Sequence, residues 1–224
     1  MNKLITQNIS KTYKSFDNDF KVIKDLSISF NQGSNSILGK SGCGKTSLLY
    51  MLGGLIEPTS GSILFNSQNL TNFSENDWSG FRRRNLGYIF QFHNLLPEFT
   101  ALENVYLPLL IDNVSLQDAK ERAMDILDKV SLAHRADHKP AMLSGGERQR
   151  VSVCRALINN PKIILADEPT GSLDSKNAEN LINIIYDFAE KQNAILILVS
   201  HNNEIAKLSD KCFYMTEGGE LNEE

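Results

Sequence analysis

Ser36-Ile37-Leu38-Gly39-Lys40-Ser41-Gly42-Cys43-Gly44-Lys45-Thr46-Ser47 reads as a short apolar strand, a glycine-rich turn and the start of a helix. Without side chains in the way, the backbone amides of about Gly42 to Thr46 can turn inward on phosphates. They do so at the positive end of the helix that follows. Lys45 is placed to bridge the terminal phosphates and the Thr46 hydroxyl to ligate magnesium. Strand, loop and helix in that order predict a nucleoside triphosphate site built from Gly39, Lys40, Ser41, Gly42, Cys43, Gly44, Lys45, Thr46 and Ser47.

Outward from this loop, the pattern is that of an α/β protein. Toward the N-terminus, apolar alternation around Leu4-Ile5 and from Val22 to Phe30 predicts antiparallel strands joined by a polar turn at Asp17-Asn18-Asp19. Toward the C-terminus, Ile63-Leu64-Phe65, Gly87 to Phe90, Lys162 to Ala166 and Ile195 to Val199 are short apolar runs. Helical segments alternate with them, which argues a mainly parallel sheet covered on both faces. Between Leu95 and His138 the strands give way to helices, with Leu116, Ala119, Ala123, Leu127 and Val130 on one predicted face. The expected organisation is one domain over residues 1–224. Its phosphate-loop core runs over about 1–91 and 143–224, with an inserted helical subdomain over about 92–142.

Ile163-Ile164-Leu165-Ala166-Asp167-Glu168 buries a strand and delivers two acids at its carboxyl end, where open parallel sheets place ligands. Asp167 can hold magnesium directly or through water, and Glu168 can polarise an attacking water. Gln91 and His201 follow two other strands and are expected on the same edge. Gln91 is placed to sense magnesium and water, and His201 to hydrogen-bond a γ-phosphate. Together these residues predict hydrolysis.

A second glycine motif, Leu143-Ser144-Gly145-Gly146-Glu147-Arg148-Gln149-Arg150, opens another helix. Ser144 can cap it, and the glycines leave its N-terminus bare for an anion. One active site has no use for two phosphate cradles, so a cradle without a partner in its own chain points to a second chain.

The chain resembles the nucleotide-binding subunit of ABC transporters in the phosphate loop, the signature Leu-Ser-Gly-Gly-Glu-Arg-Gln-Arg and the order of all motifs, over essentially its whole length. The resemblance implies ATP and Mg²⁺ as cofactors, an adenine-stacking Tyr13, Glu168 as general base and His201 as switch residue. It also implies Asp174, in Gly171-Ser172-Leu173-Asp174, as a contact across a homodimer. In that dimer two chains lie head to tail, with Ser144, Gly145, Gly146 and Glu147 of one closing on the ATP held by Lys45 of the other. Closure would pass to separate membrane subunits through about Gln91 to Asn104, where Phe92, Leu95, Leu96, Pro97 and Phe99 form an apolar stretch. The run Phe90 to Asn104, with Met51 to Leu55 and His134 to His138, is similar to the lipoprotein-releasing (Lol-type) ATPases. The expected role is therefore to power release of lipoproteins from the bacterial inner membrane toward the outer membrane, from a peripheral position on its cytoplasmic face. Macrolide-efflux and cell-division ABC systems share much of the pattern, and a soluble non-transport ABC ATPase is the remoter alternative. Two departures from the family pattern are minor: Thr46-Ser47 keeps a hydroxyl at the magnesium position, and Ser172 leaves Asp174 in place. Cys43 inside the loop predicts sensitivity to thiol reagents.

Bulk properties narrow the field. The 224 residues are 41% hydrophobic with a formal net charge of −4, which carries no electrostatic footprint for nucleic acid. Met1 to Ser10 does not resemble a signal peptide, and no apolar run approaches the about 20 residues of a spanning helix. Cys43, Cys154 and Cys212 lack metal spacing and read as reduced thiols of a cytosolic chain. Arg82-Arg83-Arg84 is expected at a solvated helix end. Trp78 and Phe81 are expected in packing, and Glu217 to Glu224 as a solvated acidic tail. His134 and His138 are spaced like ligands on one helical face but lack a third.

Overall fold

A computed structural model describes residues 1–14, 18–171, 173 and 175–223, without the side chains of Ser175 and Lys176. Asp17 of the expected hairpin therefore lies outside the described residues. Two sheets make up the framework. In the first, β1 (Lys3–Tyr13) pairs antiparallel with β2 (Phe20–Asn31) on one side and with β4 (Ser60–Phe65) on the other, and β5 (Gln68–Asn69) follows at the edge.

The second sheet has the order β10-β9-β3-β8-β7-β6 and carries the phosphate loop. Its strands β6 (Leu86–Ile89), β7 (Ile163–Asp167), β8 (Ile195–Val199), β3 (Gly33–Gly39) and β9 (Lys211–Met215) are mutually parallel. Only β10 (Leu221–Glu223) runs antiparallel, against β9. That pairing corrects the expectation of a solvated tail: Leu221 lies opposite Met215 and packs against the core.

Every residue of β7 and β8 is buried, because each strand has apolar layers above and below it. The two-residue side-chain period divides them. Ile163, Leu165, Ile195, Ile197 and Val199 join Leu4, Phe30, Leu48 and Leu49 in the layer that faces α1 (Lys45–Leu52) and the first sheet. Ile164, Ala166, Leu196 and Leu198 turn the other way, onto Leu181, Ile182 and Ile185 of α6 (Ser175–Lys191).

A third apolar cluster holds α3 (Ala101–Ile111), α4 (Leu116–Lys129) and α5 (Gly145–Leu157) together. On the predicted face of α4, Ala119, Ala123, Leu127 and Val130 are buried, but Leu116 is exposed. Leu116 is the first helical residue, at the frayed end of α4. On α5, Val151 and Cys154 face this third cluster while Val153 and Leu157 face the layer behind the sheet. α5 is thus shared between two cores.

Trp78 and Phe81 of α2 (Glu75–Asn85) are buried and meet edge to face at 5.7 Å, as expected of packing residues. The basic run that ends α2 is not simply solvated: Arg82 donates to the Gly54 carbonyl and Arg83 pairs with Asp112 at 3.2 Å. His134 lies in a single 3₁₀ turn, Ala133–Arg135, and His138 beyond it, so the two do not share a helical face. Among the described residues no helix is long and apolar enough to cross a membrane.

Candidate nucleotide site

The carboxyl ends of β3, β6, β7 and β8 lie along one edge of the sheet, and the predicted site residues assemble there. The loop after β3 relies on glycine at two points. Gly39 has φ +153°, and a Cβ there would sit 2.6 Å from the Met215 carbonyl oxygen. Gly44 has φ +109°, with a Cβ position 2.8 Å from the Val22 side chain. Gly44 is also the N-cap of α1 and offers no side-chain cap, so the helix presents its first amides uncovered. By contrast α2, α3 and α5 each open with a closed capping box.

Lys45 is buried, and its ammonium is held by the carbonyls of Gly39 at 2.8 Å and Lys40 at 2.7 Å. A buried cation satisfied only by neutral dipoles is suited to receive an anion. Lys40 itself points outward to Glu217 at 2.9 Å, so only its backbone belongs to the cradle. Cys43 is 3% exposed and packs into the core, which corrects the expectation of ready attack by thiol reagents. Tyr13, half-exposed at the end of β1, places its hydroxyl 3.2 Å from that of Ser47. Its ring therefore lies beside the loop, with the Lys11 ammonium 5.3 Å from the ring centre.

The Thr46 hydroxyl donates to Asp167 Oδ1 at 3.3 Å. Burial lifts the Asp167 carboxyl above its usual range, and the neighbouring Glu168 adds to the rise; the Thr46 hydrogen bond, Lys45 and His201 oppose it. A hydroxyl and a buried carboxylate side by side form an oxygen donor set that fits a small hard cation.

Glu168 breaks from β7 with φ +45°, a conformation unusual for a residue with a side chain. Its amide still donates to the Val199 carbonyl, so the chain turns while remaining anchored to β8. The turn carries the Glu168 carboxylate between two predicted partners. Gln91 Nε2 donates to Oε2 at 3.2 Å, and His201 Nε2 lies 2.6 Å from Oε1. Gln91 thus meets Glu168, whereas the hydroxyl–carboxylate pair is Thr46 with Asp167. Asp174 and Ser172 lie outside the described residues. A cavity of about 490 Å³ between α4, α5 and α6 is lined by none of these site residues.

The signature segment opens a different helix, α5. Ser144 caps α5 as expected, accepting from the Glu147 amide at 3.2 Å. The end is not bare, however, because Glu147 Oε2 reaches back to the Ser144 amide at 2.7 Å. The amides of Gly145 and Gly146 remain as the uncovered pair. The Ser144 amide, and then Arg135, hold the Glu147 carboxyl below its usual range.

Three residues that the sequence reading passed over shape the surroundings. Buried Asn104 accepts from the Leu96 amide and donates to the carbonyls of Leu96, Phe99 and Thr100, which fixes the bend before α3. Arg155, in the last turn of α5, donates to the carbonyls of Asn94 at 2.7 Å and His93 at 3.0 Å. Arg135 pairs with Glu147 at 3.0 Å. The only local signal was the Thr100 to Glu103 capping pattern, which marks the start of α3.

A phosphate loop, a strand-end carboxylate pair and a separate signature helix on this two-sheet framework define an ATP-binding cassette. The model of the ABC transporter family matches residues 23–171, and the chain belongs to that family. It is an ATPase with ATP and Mg²⁺ as cofactors. Among its relatives is the lipoprotein-releasing system ATP-binding protein LolD of Bacteroides thetaiotaomicron, 45% identical over 95% of this chain and 96% of that protein. Among solved structures, the dimeric structure of MJ0796, a bacterial ABC transporter cassette, superposes with a TM-score of 0.93. Its identity is 35%, over 99% of this chain and 97% of the other. A dimeric post-hydrolysis state of MJ0796 bound to ADP and Pi fits equally well, with a TM-score of 0.93 and 35% identity over 99% and 97% of the two chains.

Proposed function

We propose that this chain is the ATP-hydrolysing subunit of an ABC system that releases lipoproteins from the bacterial inner membrane toward the outer membrane. The observation that carries the hydrolytic part is the Glu168 carboxylate, held between Gln91 and His201 at the ends of three parallel strands. The cargo rests on the identity to a relative named for lipoprotein release.

In this reading Lys45 and the amides opening α1 bind the β- and γ-phosphates, and Tyr13 stacks on adenine. Thr46 and Asp167, with Gln91 as the third expected ligand, would hold Mg²⁺, which would supply charge neutralisation at the phosphates. Glu168 takes the proton of the attacking water, with His201 at 2.6 Å orienting its carboxylate. Two chains pair head to tail, so that Ser144, Gly145, Gly146 and Glu147 of one meet the ATP of the other, with Asp174 at the seam. The division into a core of about 1–91 and 143–224 and a helical subdomain of about 92–142 belongs to the same proposal.

Two membrane subunits receive the stroke through the stretch Gln91 to Asn104. There Phe92 is 78% exposed, and Leu96 and Phe99 are exposed beside it. Apolar side chains left in water on a loop that leads from Gln91 suit a partner contact. The chain then sits peripherally at the cytoplasmic face of the inner membrane.

The test is Glu168→Gln. It should retain ATP binding, lower turnover by roughly 10²–10⁴-fold and accumulate as an ATP-bound dimer. Captured from native membranes with ATP, it should bring down two different membrane subunits carrying lipoproteins. Near-normal turnover would refute the base assignment, and small-molecule efflux subunits would refute the cargo.

A further inference from the structure

Glu147 poses an electrostatic problem at the end of α5. Its carboxylate is 15% exposed and lies in the first helical turn, next to the uncovered amides of Gly145 and Gly146. A helix N-terminus favours an anion, but here one is already in place. A triphosphate brought by a second chain would meet a like charge across a few ångströms. Glu147 is nonetheless tied into the site, since its Oε2 accepts from the Ser144 amide and its own amide donates to the Ser144 hydroxyl.

Arg135 answers that charge. Its Nε lies 3.0 Å from Glu147 Oε1, the oxygen not used on Ser144, and its Nη1 is 3.2 Å from His138 Nε2. The arginine is held from behind: the Ala136 and His138 carbonyls accept the amides of Leu102 and Ala101, which strap the Arg135 turn onto the start of α3. The guanidinium therefore stays on Glu147 by construction and not by chance encounter.

We propose that Arg135 is a positioning residue for ATP held by a second copy of the chain. By cancelling the Glu147 charge it keeps the α5 N-terminus receptive to phosphate, and it locks Ser144 in its capping geometry. This inference rests on the head-to-tail arrangement proposed above.

The experiment measures the ATP concentration that half-saturates dimerisation of the Glu168→Gln chain, by light scattering. Arg135→Ala and Glu147→Gln are added singly and together. Arg135→Ala should raise that concentration by about tenfold, as expected for uncovering a charge beside a binding site. In the Glu147→Gln background, where the capping group is neutral, the same change should cost less than about twofold. Arg135→Lys should recover much of the loss in the parent. ATP affinity of the monomer, set by the Lys45 loop, should be the same in Arg135→Ala and Arg135→Lys as in the parent, which verifies that each is folded. An equal cost of Arg135→Ala in both backgrounds would make Arg135 merely structural and overturn the proposal. An ATP-driven dimer that Arg135→Ala leaves unaffected would also overturn it while sparing the head-to-tail reading. Failure of the parent to dimerise with ATP would overturn both.

Discussion

At Asp167 the carboxylate is 4% exposed, and its burial raises the pKa. A carboxyl that holds its proton more tightly folded than unfolded contributes stability below its unfolded pKa, and that contribution is lost as pH rises through the folded value. Near neutral pH the ionised Asp167 is therefore a local liability that a bound cation relieves. Asp167→Asn should raise the Tm in the absence of Mg²⁺, because the amide buries no charge. It should also abolish the increase in Tm that Mg²⁺ gives the parent, and Tm values that still respond equally to Mg²⁺ would disprove the role. Glu168, one residue on, departs from the strand at φ +45° and faces Gln91 and His201 instead. In the proposed mechanism, local strain of this kind separates two adjacent acids into a cation-side group and a water-side group.

Among the elements, the bend between β6 and α3 depends on one buried side chain. Asn104 uses both amide atoms on backbone groups of Leu96, Phe99 and Thr100. Asn104→Leu keeps the branched shape but leaves those groups unpaired, and should destabilise the chain by about 2–3 kcal/mol in urea unfolding. Amide exchange at Leu96 should accelerate with it; an unchanged unfolding midpoint would show that the bend holds itself. Sequence alone could not reveal this, because Asn104 reads as one polar position on an apolar helix. Arg155 was equally hidden, since its partners are the carbonyls of His93 and Asn94, and carbonyls carry no residue code. The strands were legible for the opposite reason. β8 is apolar at every position, and β7 at every position before Asp167, a pattern that a strand covered on both faces requires. β10 was missed because three residues among glutamates carry no such pattern until Leu221 meets Met215.

For the whole molecule, the two phosphate-binding elements belong to different composite sites in the proposed dimer. Lys45→Ala and Ser144→Arg should each abolish ATP-driven pairing when alone. Mixed in equal amounts, the two variants should recover pairing, because each heterodimer keeps one site made of an intact Lys45 loop and an intact Ser144 helix end. A site completed within one chain would show no recovery. Most of the phosphate-loop edge could be read beforehand, since Gly39 to Ser47, Gln91, Asp167, Glu168 and His201 each follow a recognisable strand. The charge cancellation at Glu147 could not, because Arg135 meets it only after the chain folds through a 3₁₀ turn.

α5 lends Val151 and Cys154 to the helical cluster and Val153 and Leu157 to the layer behind the sheet. A side-chain change that loosens one of these packings disturbs the other, so few substitutions along this helix are neutral to both. In the proposed dimer, the segment facing the second copy is therefore among the least editable parts of the chain. A proposed contact with membrane subunits at the exposed Phe92, Leu96 and Phe99 would be free of that constraint, since these side chains belong to neither core.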